Sequence, residues 1–96
     1  MPLIKYDQDK PRLDLIEPSF IMGIANVLTM GAIKYAVDNW KKAKAKDRYR
    51  YKAALLRHLY AWLGGEKLDP ESGQHHLYHV ACNAMFILYF EQLDDS

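Results

Sequence analysis

The chain has 96 residues, half of them hydrophobic and 26% charged, with a formal net charge of +1. That balance excludes an intrinsically disordered chain, and a near-neutral protein has no global field to draw nucleic acid or a membrane surface. No apolar run approaches the ~20 residues of a spanning helix, and one cysteine, Cys82, allows no disulfide framework within the chain. The expectation is one domain over residues 1–96 with a modest core, because a chain of this size hides only roughly two thirds of its unfolded surface. Met1 to Lys10 carries Asp7 and Asp9 and lacks the apolar centre of a signal peptide. A cytoplasmic location and a reduced, buried Cys82 are expected.

Residues 1–17 read as an extended N-terminal arm. Asp7-Gln8-Asp9-Lys10-Pro11 is polar and turn-like, and Pro11 and Pro18 each push the preceding residue away from helix. Leu13, Leu15 and Ile16 are candidates to pin the arm to a core. Pro18 suits a first helical position, where its missing N–H would be unpaired anyway. From it Phe20, Ile21, Ile24, Val27 and Leu28 build an apolar stripe, and this first helix should end or bend between Gly31 and Val37. Asp38-Asn39-Trp40 opens a polar connection that runs into the basic stretch Lys41–Lys46. Asp47 is a candidate cap for a second helix carrying Tyr51, Leu55, Leu56, Leu59, Trp62 and Leu63, which Gly64-Gly65 should end. Residues 65–73 form a loop of turn formers and acids. A third helix follows from about Gln74 to about Leu93, apolar around most of its circumference, so it belongs in the centre or in a subunit interface. No alternating strand pattern is present.

Five constellations could carry chemistry. His76-x-x-His79-x-x-x-Asn83 places two imidazoles and an amide on one face of the apolar third helix. Buried polar groups need partners, so the choice is a core hydrogen-bond network or a site. Glu66, Asp69 and Glu71 gather three carboxylates in six residues just before that helix. Oxygen ligands of this kind suit Mg²⁺, although a solvated loop would look the same. Arg57, His58 and Trp62 lie on the second helix: a guanidinium can grip phosphate in a fork and an indole can stack on a base, unless they are a snorkelling arginine and a core tryptophan. Lys34, Tyr35, Asn39 and Trp40 put a cation, a phenol, an amide and an indole near the end of the first helix. The basic run Lys41–Lys52, with Tyr49 and Tyr51 interleaved, reads better as a solvated rim for nucleotide phosphates than as a nucleic-acid surface. There is no phosphate-cradling glycine loop with Lys-Ser/Thr and no His-Glu-x-x-His zinc helix.

Read in order, these blocks resemble the phage dATP/dGTP diphosphohydrolase family. Lys10-Pro11-Arg12-Leu13-Asp14-Leu15-Ile16 is similar to the arm that opens that domain. Gly31-Ala32-Ile33-Lys34-Tyr35 with Asn39-Trp40, then Ala54-Leu55-Leu56-Arg57-His58, Trp62, Gly65-Glu66, Asp69 and Glu71-Ser72-Gly73, and finally His76-Leu77-x-His79 with Asn83-Ala84, resemble its later blocks. A more distant likeness is to the all-helical MazG-like pyrophosphohydrolases. The resemblance implies an all-α bundle of about three helices, completed by homo-oligomerisation. It also implies a metal-dependent conversion of a purine deoxynucleoside triphosphate to the monophosphate and pyrophosphate, with Mg²⁺ or Mn²⁺. On that reading Glu66, Asp69 and Glu71 are candidate metal ligands or base, and His76 and His79 are candidate catalytic groups. Arg12, Lys34 and Arg57 are candidates for the phosphates, Trp40 or Trp62 for the base, and Tyr35, Asn39, His58 and Asn83 for the remaining substrate contacts. The alternative is a domain that keeps the pocket and sequesters a nucleotide uncleaved.

Overall fold

The computed structural model describes residues 1–94. Among them three α-helices carry the fold: α1 (Pro18–Lys34), α2 (Tyr49–Leu63) and α3 (His76–Asp94). No strand forms in this range, and the all-α expectation is met. One antiparallel bridge, Leu68 with His75, draws together the loop between α2 and α3.

α3 is the central helix. It packs against both α1 and α2, which scarcely touch each other. The buried side chains among the described residues, His76, Cys82, Asn83 and Phe90, all lie on it. This follows from the apolar circumference of that segment, which a helix at the edge of a bundle could not hide. α1 lies close against α3 at Gly23, which faces the ring of Tyr78; that ring also meets Phe20 with centroids 5.9 Å apart. An aromatic group gathers farther along α3. Trp40 stacks on Phe86 at 4.5 Å, Tyr51 lies against both Phe86 and Phe90, and the Tyr51 hydroxyl donates to the Trp40 carbonyl at 2.7 Å. That hydrogen bond ties the connection between α1 and α2 to the bundle.

α1 starts at Pro18 with extended Glu17 before it, passes straight through Gly31 and ends at Lys34, inside the expected window. The connection then turns through Asp38 in left-handed conformation, φ 59°, a region aspartate tolerates better than most side chains, and forms short 3₁₀ turns at Asn39–Lys42 and Ala45–Asp47. Asp47 is therefore part of a turn and does not cap α2: the capping position belongs to Arg48, with no side-chain cap bond. Arg48 instead reaches Asp94 at 3.0 Å and lies over the Phe90 ring. α3 starts at His76 rather than Gln74, because the Leu68–His75 bridge and the His76 N–H to Lys67 carbonyl bond, 2.9 Å, hold the preceding residues extended.

The arm is pinned less than its leucines suggested. Leu13 and Leu15, in a single 3₁₀ turn, stay 75% and 70% exposed. With the arm outstretched the radius of gyration is 16.7 Å, against about 12.5 Å for a compact chain of this length.

Candidate functional site

Where α1 and α2 diverge over α3 they leave a cavity of about 730 Å³, within the usual ~300–1,000 Å³ of small-molecule sites. Its wall comes from the second half of α1, the Asp38–Trp40 connection, one face of α2, the acidic loop, and His79 and Phe86 of α3. His79 and Phe86 stand about 10 Å apart along the α3 axis. One end is thus aromatic, with Trp40, Tyr51 and Phe86. The other is polar, with Lys34, Arg57, His58, Asp69, Glu71 and His79.

The acidic loop is held by its own backbone. The Glu66 N–H bonds to the Ala61 carbonyl, the Asp69 N–H to Gln74 O at 2.8 Å, and the Gly73 N–H to Asp69 O at 2.7 Å. Gly65 and Gly73 take φ values of 101° and 72°, which a side chain would resist. The Asp69 carboxylate accepts the Ser72 N–H at 2.9 Å, a turn that fixes the carboxylate beside α3.

Those turns send the three carboxylates to different partners. Glu66 accepts from Nε2 of buried His76 at 2.6 Å, Glu71 reaches Lys34 of α1 at 2.9 Å, and Asp69 lies 3.7 Å from His79. The histidines form a cluster of their own. His58 of α2 and His76 of α3 face each other through their Nδ1 atoms at 2.8 Å, and the His58 ring stacks on His79 at 4.2 Å with 7° between planes. Donor atoms of His58, Asp69 and His76 all lie within 4.8 Å of one another, close enough to share an ion. Thus His58, read from sequence as a substrate contact, stands with the donors, whereas Glu66 and Glu71 stand outside that set.

Burial, reinforced by His79 and His76, pushes the His58 imidazole down to about 4, so it is neutral at pH 7. Burial also lowers His79, with Asp69 opposing. For Asp69 burial alone would act upward, but the Ser72 N–H, the Ser72 hydroxyl and the nearby imidazoles outweigh it and keep the carboxyl below its ordinary range. The cluster therefore offers neutral nitrogen bases beside an ionised carboxylate. Ser72 Oγ also lies 2.7 Å from His79 Nε2, the nitrogen nearest Asp69. Because serine and aspartate meet the same nitrogen, no Ser-His-Asp relay is built, which needs the two on opposite sides of the ring.

Lys34, Tyr35, Asn39, Trp40 and Arg57 line the same cavity. Arg12 pairs with Asp14 on the exposed arm at 2.7 Å, and Trp62 lies outside the cavity lining. Asn83 is buried away from it: its amide donates to the His79 carbonyl at 2.8 Å, a backbone bond one turn back along the helix. Sequence reasoning missed Ser72, Tyr51 and Phe86 as site residues. Ser72 had a usable signal, since Asp69-x-x-Ser72 has the spacing at which a carboxylate caps a turn. From the sequence, Tyr51 is read only as part of the second helix and of the basic run, and Phe86 is not singled out.

Among the described residues no helix is long and apolar enough to cross a membrane. No solved structure matches the chain. A curated protein named dATP/dGTP diphosphohydrolase, from Salmonella phage PMBT28, is 38% identical over 86 residues, which are 90% of this chain and 29% of that relative. The chain therefore spans less than a third of the relative's length. The family described as dATP/dGTP diphosphohydrolase, N-terminal, matches residues 2–96; with every block from arm to third helix inside that match, this chain belongs to that family.

Proposed function

We propose that this domain binds a purine deoxynucleoside triphosphate in the α1–α2 cavity and supports its hydrolysis to the monophosphate and pyrophosphate. The observation that carries the reading is the division of one cavity into an aromatic end and an end holding two cations, two histidines and two carboxylates. A base fits the aromatic end beside Trp40, whose other face is already taken by Phe86. Phosphates fit the opposite end, where Arg57 can form a charge-assisted fork and Lys34 can leave Glu71 for a phosphate oxygen. The relative's name motivates the choice of dATP or dGTP.

Hydrolysis requires water in line with the α-phosphorus. His79, neutral and held by Ser72, is the group to accept that water's proton, and the nearby Asp69 carboxylate stabilises the imidazolium that results. A divalent cation, Mg²⁺ or Mn²⁺, would offset charge on the phosphate oxygens. Asp69, on the cavity wall between His58 and Ser72, is the oxygen donor on which it would rest. The exposed apolar side chains of the arm and α1, Leu13, Leu15, Phe20, Ile21 and Met22, supply a surface for association between copies of the chain.

Purified protein incubated with each of the four dNTPs and Mg²⁺ or Mn²⁺, followed by product chromatography, tests the reading. Monophosphate with pyrophosphate from dATP or dGTP is the expected result, and phosphate release one group at a time would overturn it. A second reading is favoured by the 29% share of the relative that this chain covers: the domain alone retains the nucleotide and leaves cleavage to residues elsewhere. Equilibrium dialysis showing retained, intact dNTP would select it.

A further inference from the structure

We propose that His58, His76 and Asp69 form a transition-metal centre, with Glu66 as the residue that orients His76. This rests on the reading above for its place at the phosphate end of the cavity, but the metal site stands on its own geometry. Two ligands held ~2.1 Å from one cation at tetrahedral or octahedral angles lie about 3.0–3.4 Å apart. The facing Nδ1 atoms of His58 and His76 are 2.8 Å apart, so a few tenths of an ångström of spreading would seat an ion between them. The rings come from two packed helices, α2 and α3, which fixes the spacing. Asp69 adds a carboxylate oxygen: one ligand atom from each of the three residues lies within 4.8 Å of the others.

Glu66 explains why His76 presents Nδ1. Its carboxylate lies 2.6 Å from His76 Nε2 and accepts the proton there, leaving a lone pair on the opposite nitrogen. This carboxylate-histidine pairing is the usual means of fixing a metal-bound imidazole. His76 is buried, so its ring cannot turn to solvent instead. Without an ion the two Nδ1 atoms share one hydrogen bond, with His58 the donor. With an ion in its place, His58 carries its proton on Nε2 and both lone pairs bind. His58 and Asp69 line the cavity and His76 does not, so the ligands stand on one side and open coordination positions face the nucleotide. Two imidazoles and one carboxylate favour Mn²⁺, Co²⁺ or Zn²⁺ over Mg²⁺, which prefers an all-oxygen shell.

The test is calorimetric titration of the metal-stripped, nucleotide-free chain with Co²⁺, Mn²⁺ and Mg²⁺, with the visible spectrum of the Co²⁺ form. One Co²⁺ per chain, bound at least 100-fold more tightly than Mg²⁺, with absorption shifted from aqueous Co²⁺ by nitrogen ligands, is expected. His58→Gln and Asp69→Asn should each weaken Co²⁺ by 100-fold or more, and Glu66→Gln by about 10- to 100-fold, with circular dichroism unchanged. Glu71→Gln should leave Co²⁺ affinity intact. Equal affinity for Mg²⁺ and Co²⁺, or loss with Glu71→Gln but not with His58→Gln, would overturn the proposal. The hydrolysis reading fails separately: tight Co²⁺ binding without dNTP turnover keeps the metal centre and removes the enzyme. Full turnover with normal Mn²⁺ affinity in His58→Gln does the reverse.

Discussion

The contact between α1 and α3 can be tested with one substitution made at two places. Gly23 and Gly31 both lie within α1, where alanine is favoured over glycine by about 1 kcal/mol at an exposed position. At Gly31 a new Cβ meets nothing within 4 Å. Gly31→Ala should therefore stabilise, by about 0.5–1 kcal/mol because the site is close to the helix end. At Gly23 the same Cβ would overlap the Tyr78 ring. That ring must swing away from Phe20, and overpacking of this kind costs roughly 1–3 kcal/mol, which exceeds or cancels the propensity gain. The two variants should differ by about 1–3 kcal/mol, a gap of several degrees in Tm for a domain of this size. Urea unfolding followed by circular dichroism at 222 nm measures both. A Gly23→Ala protein as stable as Gly31→Ala would show that the close approach of α1 to Tyr78 is not a feature of the fold.

Three other outcomes are expected. In metal-free protein the unfolded His58 titrates near its ordinary 6.5 and the folded one at about 4. Between those values the unfolded state binds more protons, so the stability that a neutral His58 contributes is complete above pH 6.5 and lost as pH falls toward 4; urea midpoints at pH 7.5, 6 and 4.5 should decline, and His58→Gln should flatten the decline. Lys34→Ala removes an exposed ion pair with Glu71, so stability should change by less than about 1 kcal/mol. Its affinity for dATP or dGTP should fall about tenfold, as for loss of one charged hydrogen bond, and unchanged affinity would remove Lys34 from the phosphate end. Burial pushes the Cys82 thiol up to about 11, so a thiol reagent at pH 8 should fail to label the native chain and label it fully in denaturant.

The element plan was readable because it depends on local chemistry. Pro18 opens α1, Gly64-Gly65 closes α2, and the apolar circumference of residues 77–90 requires a central helix. The polar residues of the site were also visible as types and spacings: three loop acids, two histidines one turn apart, an arginine beside a histidine. Their pairing was not. Nothing local says that Glu66 turns to His76 while Glu71 crosses to Lys34, since both choices follow from the path of the chain between Gly65 and Gly73 and from where α1 ends. The same limit applies to Asn83, whose spacing puts it near the histidine face but whose amide finds a backbone carbonyl first. By itself the sequence determined three helices, their order and the chemical character of each face, because periodicity and turn residues act over a few positions. The tertiary structure decided the cavity, the approach of His58 to His76 across two helices and the division of labour among the carboxylates. Those depend on distances between residues far apart in the chain, Lys34 and Glu71 being 37 positions apart, which no local pattern encodes.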